Sequence, residues 1–187
     1  MVSAKFLSVN LVAMTAAIGI GTAASASVVT ISKTFFNSSN ATRTYSFYQY
    51  APLASGAVAS AMSGSVSATV TDLNGNGATL SAVNGLALYT ATVNDIAVRT
   101  LWQPFSVFSV GQFLSQSTTP GVFTNEAMPG GATASDALLG IALQFTLSAG
   151  DMVSFASTFT VTNVPAPGAM ALLAVSGATG AGRRRRR

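Results

Sequence analysis

Neither cysteine nor histidine occurs among the 187 residues of the chain, and only 7% of them are charged. The missing cysteine excludes a disulfide framework and every thiolate metal site. The missing histidine removes the side chain that most often serves as a general base near neutral pH and most often ligates transition metals. Lysine is nearly absent too: beyond Lys5 there is only Lys33, and Thr30 stands where a Ser-x-x-Lys pair needs serine. Serines abound, yet no Gly-x-Ser-x-Gly elbow occurs. No catalytic residue, cofactor or metal ligand is therefore expected.

Charge is scarce where it would matter. The formal +4 comes from Lys5 and the block Arg183 to Arg187. Between Ser27 and Val164, Lys33, Arg43 and Arg99 face Asp72, Asp95, Glu126, Asp136 and Asp151, a net charge of −2. A nucleic-acid partner is not expected of so uncharged a region. A surface of hydroxyls and small residues offers little electrostatic repulsion between copies, which favours self-association.

What is present is a period of two. Ser65 to Thr71 alternates without a fault, and Leu139, Ile141, Leu143, Phe145 and Leu147 share one face. After Ala149-Gly150-Asp151 the pattern resumes as Val153, Phe155, Phe159 and Val161. This reads as a final hairpin pairing Leu147 with Val153 and Phe145 with Phe155. Less regular strands are expected at Val28 to Phe36, Thr42 to Tyr50, Leu80 to Val83, Leu86 to Val93, Ile96 to Trp102 and Phe105 to Phe113. Asn74-Gly75, Asn76-Gly77 and Asn84-Gly85 carry hairpin-turn chemistry. Short helix is conceivable at Pro52 to Ala61 and at Ala132 to Leu138, and Gln116 to Gly131 reads as a long excursion between sheets. The expected fold is all-β: an antiparallel, jelly-roll-like β-sandwich over residues 27–163.

The two ends differ from this middle. Lys5, the apolar stretch Phe6 to Ile20 and the small residues Ala24-Ser25-Ala26 form a secretory signal helix over residues 1–26, with cleavage after Ala26. At the other end, Val164-Pro165-Ala166-Pro167 stops any ladder, because two prolines remove two backbone donors. Gly168 to Gly182 has no charged residue, and Arg183 to Arg187 would hold that end on the cytoplasmic side of a membrane. As a helix those fifteen uncharged residues reach only about 22 Å, short of the roughly 30 Å hydrocarbon core, which suits brief retention. An arginine run in isolation can equally be a nucleic-acid patch, and an Ala/Gly segment a disordered tail.

The tripartite tail, residues 164–187, resembles the PEP-CTERM sorting signal, with Ala166 where that family carries Glu. The resemblance implies recognition of Val164, Pro165, Ala166, Pro167 and the arginines Arg183, Arg184, Arg185, Arg186 and Arg187 by an exosortase-like membrane transpeptidase. It also implies transient membrane insertion and an association with exopolysaccharide. With signal peptidase acting at the other end, the domain between would become a cell-surface or extracellular-matrix component.

Three local patterns invite chemistry. Asp72-Leu73-Asn74-Gly75-Asn76-Gly77 opens like a calcium loop, but the twelfth position is Val83 instead of a bidentate glutamate, so a plain hairpin turn is expected. Tyr45 and Phe47 share one strand face and Tyr48 and Tyr50 the other, so half of this cluster is core, and Tyr48 and Tyr50 are candidate sugar contacts. Asn37-Ser38-Ser39 and Asn40-Ala41-Thr42 fit the glycosylation sequon, which the resemblance of the tail, implying a bacterial host, makes a chance match in an Asn/Ser-rich turn. The expected role is structural. The alternatives are a carbohydrate-binding module of the same fold and a hydrolase with an unrecognised carboxylate pair.

Overall fold

The computed structural model describes residues 25–53, 59–129 and 137–163. The signal segment up to Ala24, both prospective terminal helices and the tail from Val164 onward lie outside the described residues. Ten strands follow in order: β1 (Ser25–Phe36), β2 (Arg43–Pro52), β3 (Ala59–Thr71), β4 (Ala78–Ala82), β5 (Tyr89–Val93), β6 (Ile96–Leu101), β7 (Val107–Val110), β8 (Ser115–Ala127), β9 (Leu138–Leu147) and β10 (Met152–Asn163). All pairings are antiparallel, and no helix occurs among the described residues.

Two sheets result. Sheet A runs β1-β10-β3-β8. Sheet B is built on β9, which carries β2 along one edge. Its other edge is shared end to end by β5, with β6 outside it, and β4, with β7 outside it. Alternation along β9 and β10 sends Leu139, Ile141, Leu143, Phe145 and Leu147 inward from one sheet and Val153, Phe155, Phe159 and Val161 inward from the other. Phe145 is the centre of the core: its ring lies 4.8 Å from Phe155, 5.1 Å from Phe35 and 5.2 Å from Tyr45 between centroids. The all-β sandwich expected from the period of two is thus what the chain forms.

The connectivity differs from expectation. β9 and β10 do not pair: Ser148 to Asp151 carries the chain from sheet B across to sheet A, so the anticipated final hairpin is an inter-sheet corner. Alternation reveals which face of a strand is buried but not which strand lies beside it. Phe145 and Phe155 do meet, across the core instead of along a ladder. The Asn-Gly turns likewise supply positive φ, at Gly75 (80°), Gly77 (87°) and Gly85 (77°), but join strands that do not pair with each other. Of consecutive strands only β5 and β6 pair, through Asn94 and Asp95 with φ of 50° and 63°. That two-residue turn needs positive φ at both positions, which Asn and Asp tolerate.

Other expectations shift in detail. Gln116 to Ala127, read as part of an excursion, belongs to β8. Pro120 is accommodated because β8 is the edge of sheet A and its register shifts between the Thr118 and Gly121 pairings, a bulge where no ladder donor is required. Of the two conceivable helices, Pro52 ends β2, Ala59 to Ala61 open β3 and Leu138 opens β9, while residues 54–58 and 132–136 lie outside the described residues. The strand anticipated from Leu86 begins only at Tyr89, and the one from Phe105 to Phe113 shrinks to Val107–Val110.

Candidate functional site

The strongest polar construction sits where three inter-sheet corners meet. Asn37, at the end of β1, is fully buried, and its Nδ2 donates toward the carbonyls of Ala41, Leu147 and Ser148 at 2.8–2.9 Å. Its backbone N–H donates to the Asp151 carbonyl, and its own carbonyl accepts from the Gly150 N–H, both at 2.9 Å. In the folded domain Asn37 is therefore a splice between corners, sealed from any glycosylating enzyme. Nothing but its sequon had marked it in the sequence.

Asp72 anchors the neighbouring corner. Its Oδ1 accepts the N–H groups of Asn74 (3.2 Å) and Gly75 (3.1 Å), and its Oδ2 those of Gly77 (3.1 Å) and Phe113 (2.7 Å). A calcium loop turns oxygens inward on a cation. Here backbone N–H groups turn inward on a carboxylate, so the loop has the opposite polarity. Asn74 also donates from Nδ2 to the Ala149 carbonyl at 2.7 Å, tying this corner to the next. The turn expected at Asp72 to Gly77 is thus a corner between β3 and β4, in different sheets. Among the described residues no cluster of three or more His, Cys, Asp or Glu side chains is arranged to hold a metal.

Asp151 lies against Asp72 and is wholly buried. Its Oδ2 accepts the Ser148 hydroxyl, while Oδ1 has no hydrogen-bond partner. Burial and the neighbouring carboxylate both favour its protonated form, and the Ser148 hydroxyl and the Leu73 N–H act against them. Burial pushes the Asp151 carboxyl above its ordinary 3.8, and the adjacent Asp72 adds to the shift. Burial also pushes Asp72 up, but its four backbone donors prevail and hold it below 3.8. This is a carboxylate pair, yet no substrate reaches it, and its oxygens are engaged in joining corners.

The aromatic cluster divides as its alternation requires. Tyr45 and Phe47 turn inward and pack on the core, Tyr45 stacking on Phe145 at 15° between ring planes. Tyr48 and Tyr50 turn outward on sheet B, 49% and 42% exposed. Opposite them on β9 stand Ala142 and Gly140. A Cβ added at Gly140 would come within 2.9–3.0 Å of the Tyr50 ring, so that ring lies close over bare backbone. The Tyr48 hydroxyl accepts from Gln144 Nε2 at 2.9 Å, and Tyr50 is hydrogen-bonded to Asp95 in the β5–β6 turn, which holds its phenol above its ordinary value.

Ser25 and Ala26 already belong to β1, opposite Asn163 and Thr162 of β10. Cleavage after Ala26 would leave the ladder complete from Ser27 opposite Val161 to Phe36 opposite Met152. Ala24 and the sorting-motif residues Val164 to Pro167 and Arg183 to Arg187 lie outside the described residues. Comparison with protein-family models, with curated proteins and with solved structures finds no match to this chain.

Proposed function

We propose that the chain is an exported bacterial surface or extracellular-matrix protein, structural in role, whose two ends are addresses read at the membrane. Signal peptidase removes the first and an exosortase-like transpeptidase processes the second. The observation that carries this reading is the pairing of Ser25 with Asn163 at the first rung of the β1–β10 ladder. Paired residues in an antiparallel ladder have Cα atoms about 5 Å apart. The chain thus enters and leaves the sandwich at one pole. With Lys5 and the arginines both kept cytoplasmic, the precursor hangs from the bilayer by two adjacent segments. Ends at opposite poles of a twelve-residue ladder would lie about 40 Å apart and would demand long linkers.

The exposed surface is consistent with close assembly. Outward hydroxyls pair across sheet A, Thr34 with Ser154 at 2.7 Å, Thr69 with Ser117 and Thr71 with Ser115 both at 2.8 Å. Among the described residues one ion pair occurs, Arg99 with Glu126 at 3.1 Å. Few charges need to be separated or screened when copies pack together. Mass spectrometry of the native extracellular form tests the proposal, with an N-terminus at Ser27 and loss of the arginine block expected. Replacing Arg183 to Arg187 with Glu should leave the domain folded and block that C-terminal processing. An extracellular form retaining Arg187, or normal processing of the charge-reversed chain, overturns the reading.

A further inference from the structure

Sheet A and sheet B present different outer faces. That of sheet A is a ladder of paired hydroxyls. That of sheet B carries hydroxyls as well, and adds two tyrosines on its edge strand β2. Tyr48 and Tyr50 are two residues apart on one face, hence about 7 Å apart along the strand. Both are backed by small residues: Ala142 and Gly140 are buried beneath this face although neither side chain points into the core. The aromatic surfaces are therefore supported from below and open from above.

Polar groups fringe the rings. Thr92, opposite Gly140 on β5, brings its hydroxyl over the same glycine, and Gln144 and Asp95 hold the two phenol oxygens. These are the donors and acceptors that a polyol needs at the rim of a stacking platform. Charge narrows the class of ligand. The three cations of the described residues lie elsewhere: Lys33 sits over the Phe47 ring, Arg99 pairs with Glu126, and Arg43 stands opposite the inward-facing Leu147. Among the described residues Asp95 alone charges this face, and its sign repels polyanions.

We propose that the outer face of sheet B around Tyr48 and Tyr50 is a binding site for a neutral polysaccharide, whose successive sugar rings stack their C–H faces on the two tyrosines while Thr92, Gln144 and Asp95 hydrogen-bond their hydroxyls. Two rings on an open strand edge suit a position along a polymer better than a closed pocket for one sugar. The site belongs to the sandwich itself and does not depend on how the tail is processed.

Native affinity electrophoresis of the full chain tests this, in gels containing a neutral β-glucan, mannan, galactan or xylan, with a polyuronate gel as the anionic comparison. Retardation that depends on the tyrosines is expected in at least one neutral gel, whereas any retardation by polyuronate, to which Arg183 to Arg187 contribute, should not depend on them. Tyr48→Ala and Tyr50→Ala should each weaken binding about tenfold, the loss of one stacked ring. Tyr48→Phe should retain most of the affinity, because the stacking surface remains. Phe36→Ala, removing an exposed aromatic ring from sheet A, should change nothing, and unchanged melting temperatures would show that the variants are folded. Absence of retardation in every neutral gel, retardation only by polyuronate, or undiminished binding by the double tyrosine-to-alanine variant overturns the proposal.

Discussion

A chain without cysteine permits a direct test of which strands are neighbours. Thr34 of β1 stands opposite Ser154 of β10, with their hydroxyl oxygens 2.7 Å apart on the outer face of sheet A. Directly opposed residues have Cα atoms about 4.5–5.5 Å apart, inside the window a disulfide accepts. Thr34→Cys combined with Ser154→Cys should therefore oxidise readily. The bond would link positions 120 residues apart, for which loop-closure entropy predicts a stabilisation of about 5 kcal/mol before any strain. At about 3 °C per kcal/mol for a domain of this size, the melting temperature should rise by about 15 °C and fall back under reductant. The pair Thr146→Cys with Ser154→Cys is the counter-test, since these positions would be neighbours if β9 and β10 formed a hairpin. As arranged here they point away from each other on sheets about 10 Å apart and should stay reduced. Ready closure of the second pair and failure of the first, read by non-reducing gel mobility and thermal melts, would refute the two-sheet assignment.

The buried carboxyl pair makes stability depend on pH in two opposite ways. Asp151, with its raised value, contributes stability that is fully present below 3.8 and is lost as pH rises through the folded value; Asp72, lowered, contributes above 3.8 and loses it as pH falls through its own. Asp151→Asn should flatten the decline that sets in above pH 3.8 in thermal melts, and unchanged slopes would remove the raised Asp151 carboxyl from the account. Phe145→Ala should cost about 3–5 kcal/mol by denaturant titration, and a double-mutant cycle with Phe155→Ala should return a coupling of about 1 kcal/mol. Gly64→Ala should destabilise by about 1–3 kcal/mol, because its Cβ would press on the Phe123 ring and stand 2.9 Å from the Thr158 carbonyl oxygen; a neutral result would mean that β3 can shift against β10.

The strands were legible because burial imposes a period of two on both sheets, and the inward residues of β3, β9 and β10 agree with that reading position by position. The split of Tyr45 and Phe47 from Tyr48 and Tyr50 was legible for the same reason. Partnership was not. Whether Phe145 and Phe155 meet along a ladder or across a core leaves the same alternation in each strand. Corners were misread as hairpins because an Asn-Gly step reports positive φ and says nothing about where the chain goes next. The Asn37 splice and the Asp72–Asp151 pair were invisible because their residues come together from separate corners and obey no local spacing.

The strand order bears on when this domain can fold. A ribosome makes β9 and β10 last among the ten strands, yet β9 is the spine of sheet B and β10 lies between β1 and β3 in sheet A. Before they emerge, β1 has no ladder partner at all, β2 has none, and β4 and β5 have only their short outer neighbours. Productive nucleation must close loops that span most of the chain, which makes folding slow and late. A chain in that condition is easily kept extended while it is synthesised or threaded through a narrow passage. Completion of both sheets must await residues 138–163.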